Sequence, residues 1–389
     1  MRRNLQVHEM RFTSKRQPLF LAIDLGAGGG AKLAIYNSQR QMLKHALLPR
    51  RAYGKTAEQL AEQISQISQS LSRGRPFSGI GISSPGLFRR DGSYLQVANL
   101  PFLNNQNLPR LLTANLHAPA AIENDANAGG IAEWSVLQCE LLYWVLGGGW
   151  GGAWISHAGK VKFPALDWDG DDRTLHYSNE PGYAIPLAKQ RMQRLFRQHN
   201  VSWEIFEELL LRELQPADGI LRGPRGSAEF LRAETIVSGT GRWRLFQAAC
   251  AGQRQYLRYL DRKGRTAIGD PATAGPYINL LSRRGIPWAV RADRLFGIIL
   301  AEAADILAKQ AQRQGCPPTI PIVIAGKPSR ALPYFGPAAQ QALVERGYEF
   351  YLRPSVIEEK GGNANLLGAC VLAERVLTRN SGGKNRLPV

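Results

Sequence analysis

Hydrophobic positions along the chain form short apolar runs bounded by glycine or proline, and longer stretches with helical spacing. Residues 18–36 show the pattern of strand, glycine-rich turn and strand, and residues 141–160 repeat it, so each segment predicts a β-hairpin. Helical spacing of apolar residues over 56–71 and 291–314 predicts an amphipathic helix and a core helix. The whole pattern is typical of a mixed α/β protein.

Shorter signals lie between these segments. A short strand is expected to end in a turn at Gly86, and Asn99 lies in a polar turn before a helix over 108–116. A last helix is expected over 365–376, followed by a tail. Residues 1–17 are polar and basic, which predicts a flexible N-terminus.

An Asn-Asp pair, Asn124-Asp125, stands where a short apolar run ends and a helical pattern begins at Ala126. An Asn or Asp at such a junction is commonly a helix N-cap. A carboxylate there also meets free backbone N–H groups and the positive end of the helix dipole, which favour its ionised form. Because a base must be ionised to accept a proton, Asp125 is a candidate catalytic base.

The two predicted hairpins share a chemistry, since glycines at a turn let backbone N–H groups approach a phosphate. Asp24, at the end of the first strand, is placed to hold Mg²⁺ through water. In a P-loop or a dinucleotide-binding motif the glycines open a helix, whereas here they join two strands. One such hairpin is ordinary, but two suggest a phosphate held from both sides of a cleft.

With 389 residues, of which 44% are hydrophobic, the chain is large enough for two domains with substantial cores. No apolar run approaches the roughly 18 residues that span a bilayer. The first residues lack the hydrophobic stretch of a secretory signal, although an Arg-rich organelle transit segment remains an alternative. Four widely separated cysteines show neither zinc nor disulfide spacing. These features favour the cytoplasm, a reducing compartment.

The charged residues give a net charge of +18, which favours anionic ligands such as nucleic acid or polyphosphate. The basic residues are spread along the chain without a Lys/Arg block, so a solvated surface is the simpler explanation and nucleic acid is not expected as a partner. The acidic run at 167–172 resembles the start of a calcium loop, but Ser178 stands where the closing glutamate is needed. A solvated acidic loop is therefore expected.

Several motifs, taken in order, resemble those of the ROK and bacterial glucokinase group within the actin, sugar kinase and Hsp70 superfamily. The resemblance runs roughly from Leu19 to Val376. Its most specific element, residues 123–128, is similar to the ROK signature in which the aspartate is the catalytic base. The other motifs are Asp24-Leu25-Gly26, Ser84-Pro85-Gly86, Asn99-Leu100-Pro101, 146–152, Asn179-Glu180-Pro181-Gly182-Tyr183, 233–241, 322–326 and 363–369.

The resemblance implies two α/β domains of the ribonuclease-H-like, actin-like ATPase type on either side of a cleft. The chain would cross from one to the other near Asp125. The expected divisions are a flexible N-terminus over 1–17, a small domain over 18–124 completed by a C-terminal helix over 365–378, a larger domain over 125–364, and a tail over 379–389.

The resemblance also implies the roles of residues in the cleft. ATP with Mg²⁺ would be the phosphoryl donor, and Asp125 would take the proton of a sugar hydroxyl. Asp24 would hold Mg²⁺ through water, and no zinc site is expected. The residues expected to bind the sugar are Gly86, Asn99, Asn124, Asp125, Glu180, Tyr183 and Glu234. Those expected to bind the nucleotide are Asp24, Gly26, Gly28, Gly29, Gly147, Gly148, Gly149 and Gly326.

The chain departs from the family pattern in the expected phosphate loops. Where the family commonly has Gly-Thr, this chain has Ala27-Gly28 and Gly147-Gly148, so two hydroxyls that would bond phosphate oxygens are missing. The zinc-binding cysteine cluster of the family is missing, Tyr183 replaces a histidine, and Lys327 stands where a glycine is usual beside the adenosine pocket. These changes bear more on ATP use than on sugar binding.

The leading hypothesis is an ATP-dependent hexose kinase, similar to glucokinase, that acts on glucose or a near relative. One alternative is a ROK-type sugar-binding regulator without catalysis, which the missing threonines would allow but for which a base at Asp125 has no purpose. A second is a kinase that uses polyphosphate, to which the surplus positive charge is suited. The expected partners are a small-molecule sugar and a nucleotide, with no membrane, and the sequence leaves a homodimer open.

Overall fold

The computed structural model describes residues 17–26, 29–89, 91–97, 99–162, 181–213, 220–222, 229–313 and 315–381. The strands are β1 Phe20–Gly26, β2 Gly30–Tyr36, β3 Met42–Leu48, β4 Gly79–Ser84, β5 Leu87–Phe88, β6 Tyr94–Gln96, β7 Ala120–Asn124, β8 Leu141–Leu146, β9 Trp150–Ile155, β10 Val161–Lys162, β11 Pro186–Ala188, β12 Ile220–Arg222, β13 Glu229–Arg232, β14 Pro321–Ala325 and β15 Tyr351–Pro354.

The helices within the same ranges are α1 Ala57–Ser72, α2 Leu108–Leu116, α3 Asp125–Leu137, α4 Pro181–Ala184, α5 Lys189–Gln198, α6 Trp203–Glu213, α7 Gly239–Cys250, α8 Arg262–Ala267, α9 Gly275–Arg283, α10 Pro287–Arg313, α11 Leu332–Glu345, α12 Val356–Glu359 and α13 Ala364–Ser381. Short 3-10 turns cover Arg50–Ala52, Pro101–Leu103, Ala233–Thr235, Gln255–Tyr259 and Lys327–Ala331.

The first sheet has the order β3-β2-β1-β4-β7. Strands β1 and β2 form the first predicted hairpin, while β1, β4 and β7 run parallel. Helices α1 and α2 cover one face, and α13 covers the other. A Cβ built on Gly81 would lie 1.7 Å from the carbonyl oxygen of Ala369, so glycine is what lets α13 pack this closely on β4.

The second sheet repeats this arrangement with the order β10-β9-β8-β14-β15. Strands β8 and β9 form the second predicted hairpin, and β8, β14 and β15 run parallel. The largest core lies between one face of this sheet and helices that include α10 and α11, while α3 packs on the other face. Two five-stranded sheets therefore confirm the predicted two-part α/β class.

The chain passes from one sheet to the other at the Asn-Asp junction. Strand β7 ends at Asn124 in the first sheet, and α3 begins at Asp125 and packs on the second. Helices α3 and α13 cross closely, since a Cβ on Gly368 would lie 1.9 Å from the carbonyl oxygen of Ala128. The candidate base thus lies where the two halves of the molecule meet.

The predicted helices are present with shifted ends. Helix α1 is capped by Thr56, whose hydroxyl accepts from the backbone N–H of Gln59 at 3.3 Å. The core helix begins at Pro287, earlier than expected, and the last helix extends to Ser381. None of the helices in the described part of the chain is both long and apolar enough to cross a membrane.

Candidate functional site

The predicted site residues gather where the parallel strands of the two sheets end. In the first sheet Asp24 on β1 lies opposite Ser83 on β4, and Ser83 lies opposite Glu123 on β7. Asn124 and Asp125 follow directly. Because the carboxyl ends of parallel strands meet at one edge of a sheet, these polar side chains share one end of the cleft.

Asn124 is the N-cap of α3 and is fully buried. Its side-chain oxygen accepts from the backbone N–H groups of Ala126, at 2.9 Å, and Asn127, at 3.4 Å. Its Nδ2 donates to the carbonyl oxygen of Gly86 at 3.3 Å. Asn124 therefore fixes both the start of the helix that carries Asp125 and the turn that carries Gly86.

Asp125 is the first residue of α3 and is half-buried, with Oδ1 accepting from the backbone N–H of Ala126 at 2.9 Å. Burial raises the pKa of its carboxyl to about 6, the hydrogen bond from Ala126 opposes this, and the charge of Asp24 adds to the rise. The backbone N–H groups at the helix N-terminus lower the pKa of Asp125, as predicted, but the loss of water on burial outweighs them and the net shift is upward.

Asp24, the candidate magnesium ligand, is buried and has three partners. Its Oδ2 forms an ion pair with Lys32 at 2.8 Å and accepts from Asn363 Nδ2 at 3.1 Å, and its Oδ1 accepts from Asn365 Nδ2 at 3.4 Å. Lys32 lies opposite Asp24 in the hairpin register, and its side chain is 51% exposed. Counting pairs across the predicted hairpin would have identified this lysine, which sequence analysis missed.

A magnesium ion at Asp24 would share the carboxylate with these partners. Among the described residues, no group of three or more His, Cys, Asp or Glu side chains forms a metal cage. A Mg²⁺ ion that accompanies phosphates needs only one or two carboxylates and keeps several waters. Asp24 fits that need through Oδ1, which makes only the 3.4 Å contact.

The second glycine hairpin is held to α7 and to Glu234. The backbone N–H of Gly147 donates to the carbonyl oxygen of Gly149, and Gly239 at the start of α7 donates to the carbonyl oxygen of Gly147, both at 2.8 Å. A Cβ on Gly149 would lie 2.6 Å from Glu234 Oε2, whereas a Cβ on Gly147 or Gly148 would meet nothing within 4 Å. The hairpin tip thus has room for larger side chains.

Glu234, a predicted sugar ligand, is half-buried beside this hairpin. Burial raises the pKa of its carboxyl, while the positive charge of Arg232 and a hydrogen bond from the backbone N–H of Trp150 lower it. A carboxylate kept partly dry and next to the glycine turn is suited to accept hydrogen bonds from a ligand.

Gly326 follows the end of β14 and packs directly against the second hairpin at Leu146. Its φ is +85°, and a Cβ there would lie 2.0 Å from the carbonyl oxygen of Leu146, so the position requires glycine. Its N–H is bonded to the carboxylate of Glu358, with the shorter contact 2.9 Å to Oε2. Burial raises the pKa of Glu358, opposed by this bond and by Arg330. No sequence signal pointed to Glu358.

A cavity of about 1200 Å³ lies between the two halves, large enough for a small molecule. Asp24 and the cations Lys32, Lys327 and Arg330 contribute to its lining. The same cavity has an apolar wall formed by Leu332, Pro333, Pro337, Leu352 and Pro354. Glu358 and Glu359 also line it, so the cavity combines side chains of both charges with a surface that suits an apolar ring.

The remaining predicted residues are less well placed or lie outside the description. Asn99 is exposed, and its carbonyl oxygen accepts a hydrogen bond from Arg50 Nη2. Gly29 borders the first hairpin turn with open space around it. Gly28, Glu180 and the acidic run at 167–172 lie outside the described residues, as does the side chain of Tyr183, whose backbone belongs to α4.

Comparison with known proteins supports the resemblance drawn from the motifs. Residues 20–161 match the model of the ROK family. No curated protein matches the chain at the level of sequence. The match confirms the predicted resemblance to the ROK family over these residues.

Solved structures match over nearly the whole chain. A ROK hexokinase from Thermus thermophilus is 21% identical with a TM-score of 0.59, covering 94% of this chain and 100% of its own. A ROK family glucokinase from Streptomyces griseus, solved with glucose and AMPPNP, is 18% identical with a TM-score of 0.61, covering 92% and 99%. A ROK family transcriptional regulator, a homologue of the E. coli MLC protein, is 17% identical with a TM-score of 0.64, covering 94% and 81%. The fold with two actin-like domains is confirmed.

Proposed function

We propose that this chain, which carries the ROK family match over residues 20–161 and the actin-like fold, is an ATP-dependent hexose kinase of the glucokinase type. The observation that carries the proposal is Asp125. It is a half-buried carboxylate with a pKa raised to about 6, at the point where the two halves of the molecule meet. A general base works best when its pKa lies near the operating pH.

In the proposed reaction Asp125 accepts the proton of a sugar hydroxyl as that oxygen attacks the terminal phosphorus of ATP. At neutral pH a carboxyl with a pKa of about 6 is mostly ionised. The transfer needs alignment and charge neutralisation more than covalent help from the protein. Asn124 supplies alignment, because it caps the helix that begins with Asp125 and holds the Gly86 turn.

The lining of the cavity supports a nucleotide donor. Lys32, Lys327 and Arg330 supply positive charge for phosphates, and the apolar wall suits an adenine ring. Polyphosphate needs the cations but has no part that would use the wall. Asp24 is the residue that would hold Mg²⁺, which would neutralise charge on the phosphates when bound.

For the acceptor, Glu234 and the turns at Gly86 and Asn99 offer polar groups to sugar hydroxyls. A sugar presents many donors and acceptors, and each one left buried without a partner costs about 1–3 kcal/mol. The half-buried Glu234 carboxylate beside the second hairpin is the strongest acceptor among these groups. Glu180 and Tyr183 are proposed for the same surface on the resemblance alone.

A sugar-binding regulator is the second candidate, favoured by the missing phosphate-loop hydroxyls. The tip of the second hairpin at Gly147 and Gly148 is exposed and carries no side chain. The fold is shared by a transcriptional regulator as well as by kinases. A regulator has no use for a base with a pKa close to neutral, so the kinase remains the better explanation of Asp125.

A coupled assay with Mg²⁺ tests the proposal, with ATP and polyphosphate offered separately against glucose, mannose, fructose and N-acetylated hexosamines. We expect turnover with ATP and a hexose, and its loss in Asp125→Asn with sugar-dependent thermal stabilisation retained. Substantial turnover in the variant would show that Asp125 is not the catalytic base. Stabilisation of the wild-type protein by sugar without turnover on any donor would favour the regulator. Turnover with polyphosphate alone would show that polyphosphate, and not ATP, is the phosphoryl donor.

A further inference from the structure

The backbone of Arg50 lies against the first glycine hairpin. Strand β3 ends at Leu48, which pairs with Ala31 on β2. A Cβ built on Gly30 would lie 2.4 Å from the carbonyl oxygen of Leu48 and 3.1 Å from the backbone nitrogen of Arg50. The 3-10 turn that Arg50 begins therefore stands directly beside the hairpin proposed to hold the donor.

The guanidinium of Arg50 reaches the turn proposed to hold the acceptor. Its Nη2 donates to the carbonyl oxygen of Asn99, and both residues are exposed. Arg50 thus contacts the donor side through its backbone and the acceptor side through its side chain. A phosphoryl group that moves from donor to acceptor has to pass between these two sides.

Tyr53, at the C-cap of the same turn, supports this placement. Its side chain is buried, and its hydroxyl donates to the carbonyl oxygen of Gly26 at 3.5 Å. Burial raises the pKa of Tyr53 to about 12, with the charge of Arg50 lowering it and that of Asp24 raising it. Arg50 and Asp24 therefore both act on one phenol at the edge of the hairpin.

The hydrogen bond of Arg50 to Asn99 is one that a phosphate can replace. Its acceptor is a neutral carbonyl oxygen at an exposed position. A contact between guanidinium and phosphate joins two ionised groups and is commonly bidentate, whereas the bond to the Asn99 carbonyl oxygen has only one ionised partner. The chain also lacks the threonine hydroxyls expected at its phosphate loops, so the phosphate oxygens need another donor.

We infer that Arg50 binds the terminal phosphoryl group of the donor and neutralises its charge during transfer, in place of the missing hydroxyls. The inference rests on the proposed kinase function. It assigns a catalytic role to a residue outside the motifs that carry the family resemblance. On donor binding the guanidinium exchanges the Asn99 carbonyl oxygen for phosphate oxygens.

Calorimetric binding of AMP-PNP and of ADP, each with Mg²⁺, tests the contact without turnover. The variants are Arg50→Ala and Arg50→Lys, with Arg51→Ala as the control, because Arg51 is equally exposed on the same turn. We expect Arg50→Ala to weaken AMP-PNP by roughly tenfold or more and to leave ADP unchanged. Arg50→Lys should lose less, and Arg51→Ala should match the wild-type protein. In the coupled assay kcat should fall in Arg50→Ala at an unchanged sugar KM.

Two results would overturn the inference. Equal weakening of ADP and AMP-PNP would show that Arg50 does not contact the terminal phosphoryl group. A raised sugar KM with unchanged AMP-PNP affinity would show that Arg50 only supports the Asn99 turn. The kinase proposal fails separately, since a wild-type protein that binds AMP-PNP but phosphorylates no sugar would refute it while the binding series still decides the contact. A wild-type protein that does not bind AMP-PNP would refute both.

Discussion

The carboxylate of Glu133 accepts a hydrogen bond from the hydroxyl of Ser355, and this contact joins α3 to the edge of the cavity. Glu133 is fully buried and also accepts from the backbone N–H groups of Val356, at 3.2 Å, and Ile357, at 3.3 Å. The helix that begins with Asp125 is thus fastened to the segment that borders the proposed donor site.

Removing this carboxylate should destabilise the fold. Glu133→Ala leaves one hydroxyl and two backbone N–H groups without their acceptor, and we expect a loss of about 2–3 kcal/mol in the free energy of unfolding. Ser355→Ala removes both the bond to Glu133 and the N-cap bond that its hydroxyl accepts from the backbone N–H of Glu358 at 3.1 Å, and should cost about 1–2 kcal/mol. Urea denaturation measures both. A cost of Glu133→Ala below about 1 kcal/mol would show that these three hydrogen bonds contribute little to stability.

The pH dependence of turnover should report Asp125. Its pKa is raised to about 6, so the base is protonated and inactive below that pH and ionised above it. We expect kcat/KM to rise with pH through about 6 and then to level off. Rate profiles measured with saturating donor test this. A rise of kcat/KM near pH 4, where an ordinary aspartate titrates, would contradict the raised pKa.

The same raised pKa predicts that Asp125 lowers stability at neutral pH. Below pH 3.8 the carboxyl is protonated in both states and has no effect, whereas above about 6 it is ionised in both and the folded state bears the cost of burial. The pKa difference corresponds to at most about 3 kcal/mol. Asp125→Asn should therefore raise Tm at about pH 8, with a smaller gain at about pH 4.5.

Asp91 provides a control, because its pKa is shifted in the opposite direction from that of Asp125. Hydrogen bonds from the Ser93 hydroxyl and backbone N–H lower the pKa of Asp91. For such a group the ionised form stabilises the folded state above the unfolded pKa, and this contribution disappears as pH falls. Asp91→Asn should lower Tm at about pH 8 and have less effect at low pH. Parallel shifts in the two variants would argue against the burial effect at Asp125.

Restoring one missing hydroxyl should improve donor use. A side chain at Gly148 meets no atom within 4 Å of its Cβ, so Gly148→Thr should leave Tm nearly unchanged. We expect the KM for ATP to fall severalfold because the hydroxyl can bond a phosphate oxygen. Gly148→Val, which has the same shape without the hydroxyl, is the matched control. Identical kinetics in the two variants would exclude a phosphate contact at this position.

Asn124 should separate stability from ligand binding. Asn124→Ala loses the N-cap of α3 and should cost about 0.5–2 kcal/mol. Asn124→Ser can still cap the helix, but its shorter side chain does not extend to the carbonyl oxygen of Gly86 as the Asn124 amide does. We therefore expect serine to recover most of the stability and little of the sugar affinity, as measured by denaturation and by sugar-dependent thermal shift. Full recovery of both stability and sugar affinity in Asn124→Ser would show that Asn124 acts only as the N-cap of α3.

The elements of the fold could be predicted because each depends on residues close together in sequence. Apolar spacing at Leu60 and Ile64 with Thr56 as the cap determines α1, and glycines between apolar runs determine the two hairpins. The helix start at Asp125 follows from the Asn-Asp pair for the same reason. These are local backbone preferences, so they can be inferred from residues that are neighbours in the sequence.

The chemistry of the site was decided by packing between distant residues. The sequence predicts an Asp125 whose ionised form the helix end favours, whereas burial and the charge of Asp24 from another strand give its pKa a net rise. Asp24 in turn is bonded to Asn363 and Asn365 at the opposite end of the chain. Desolvation and charge pairing depend on which surfaces come together, and only the tertiary structure determines that.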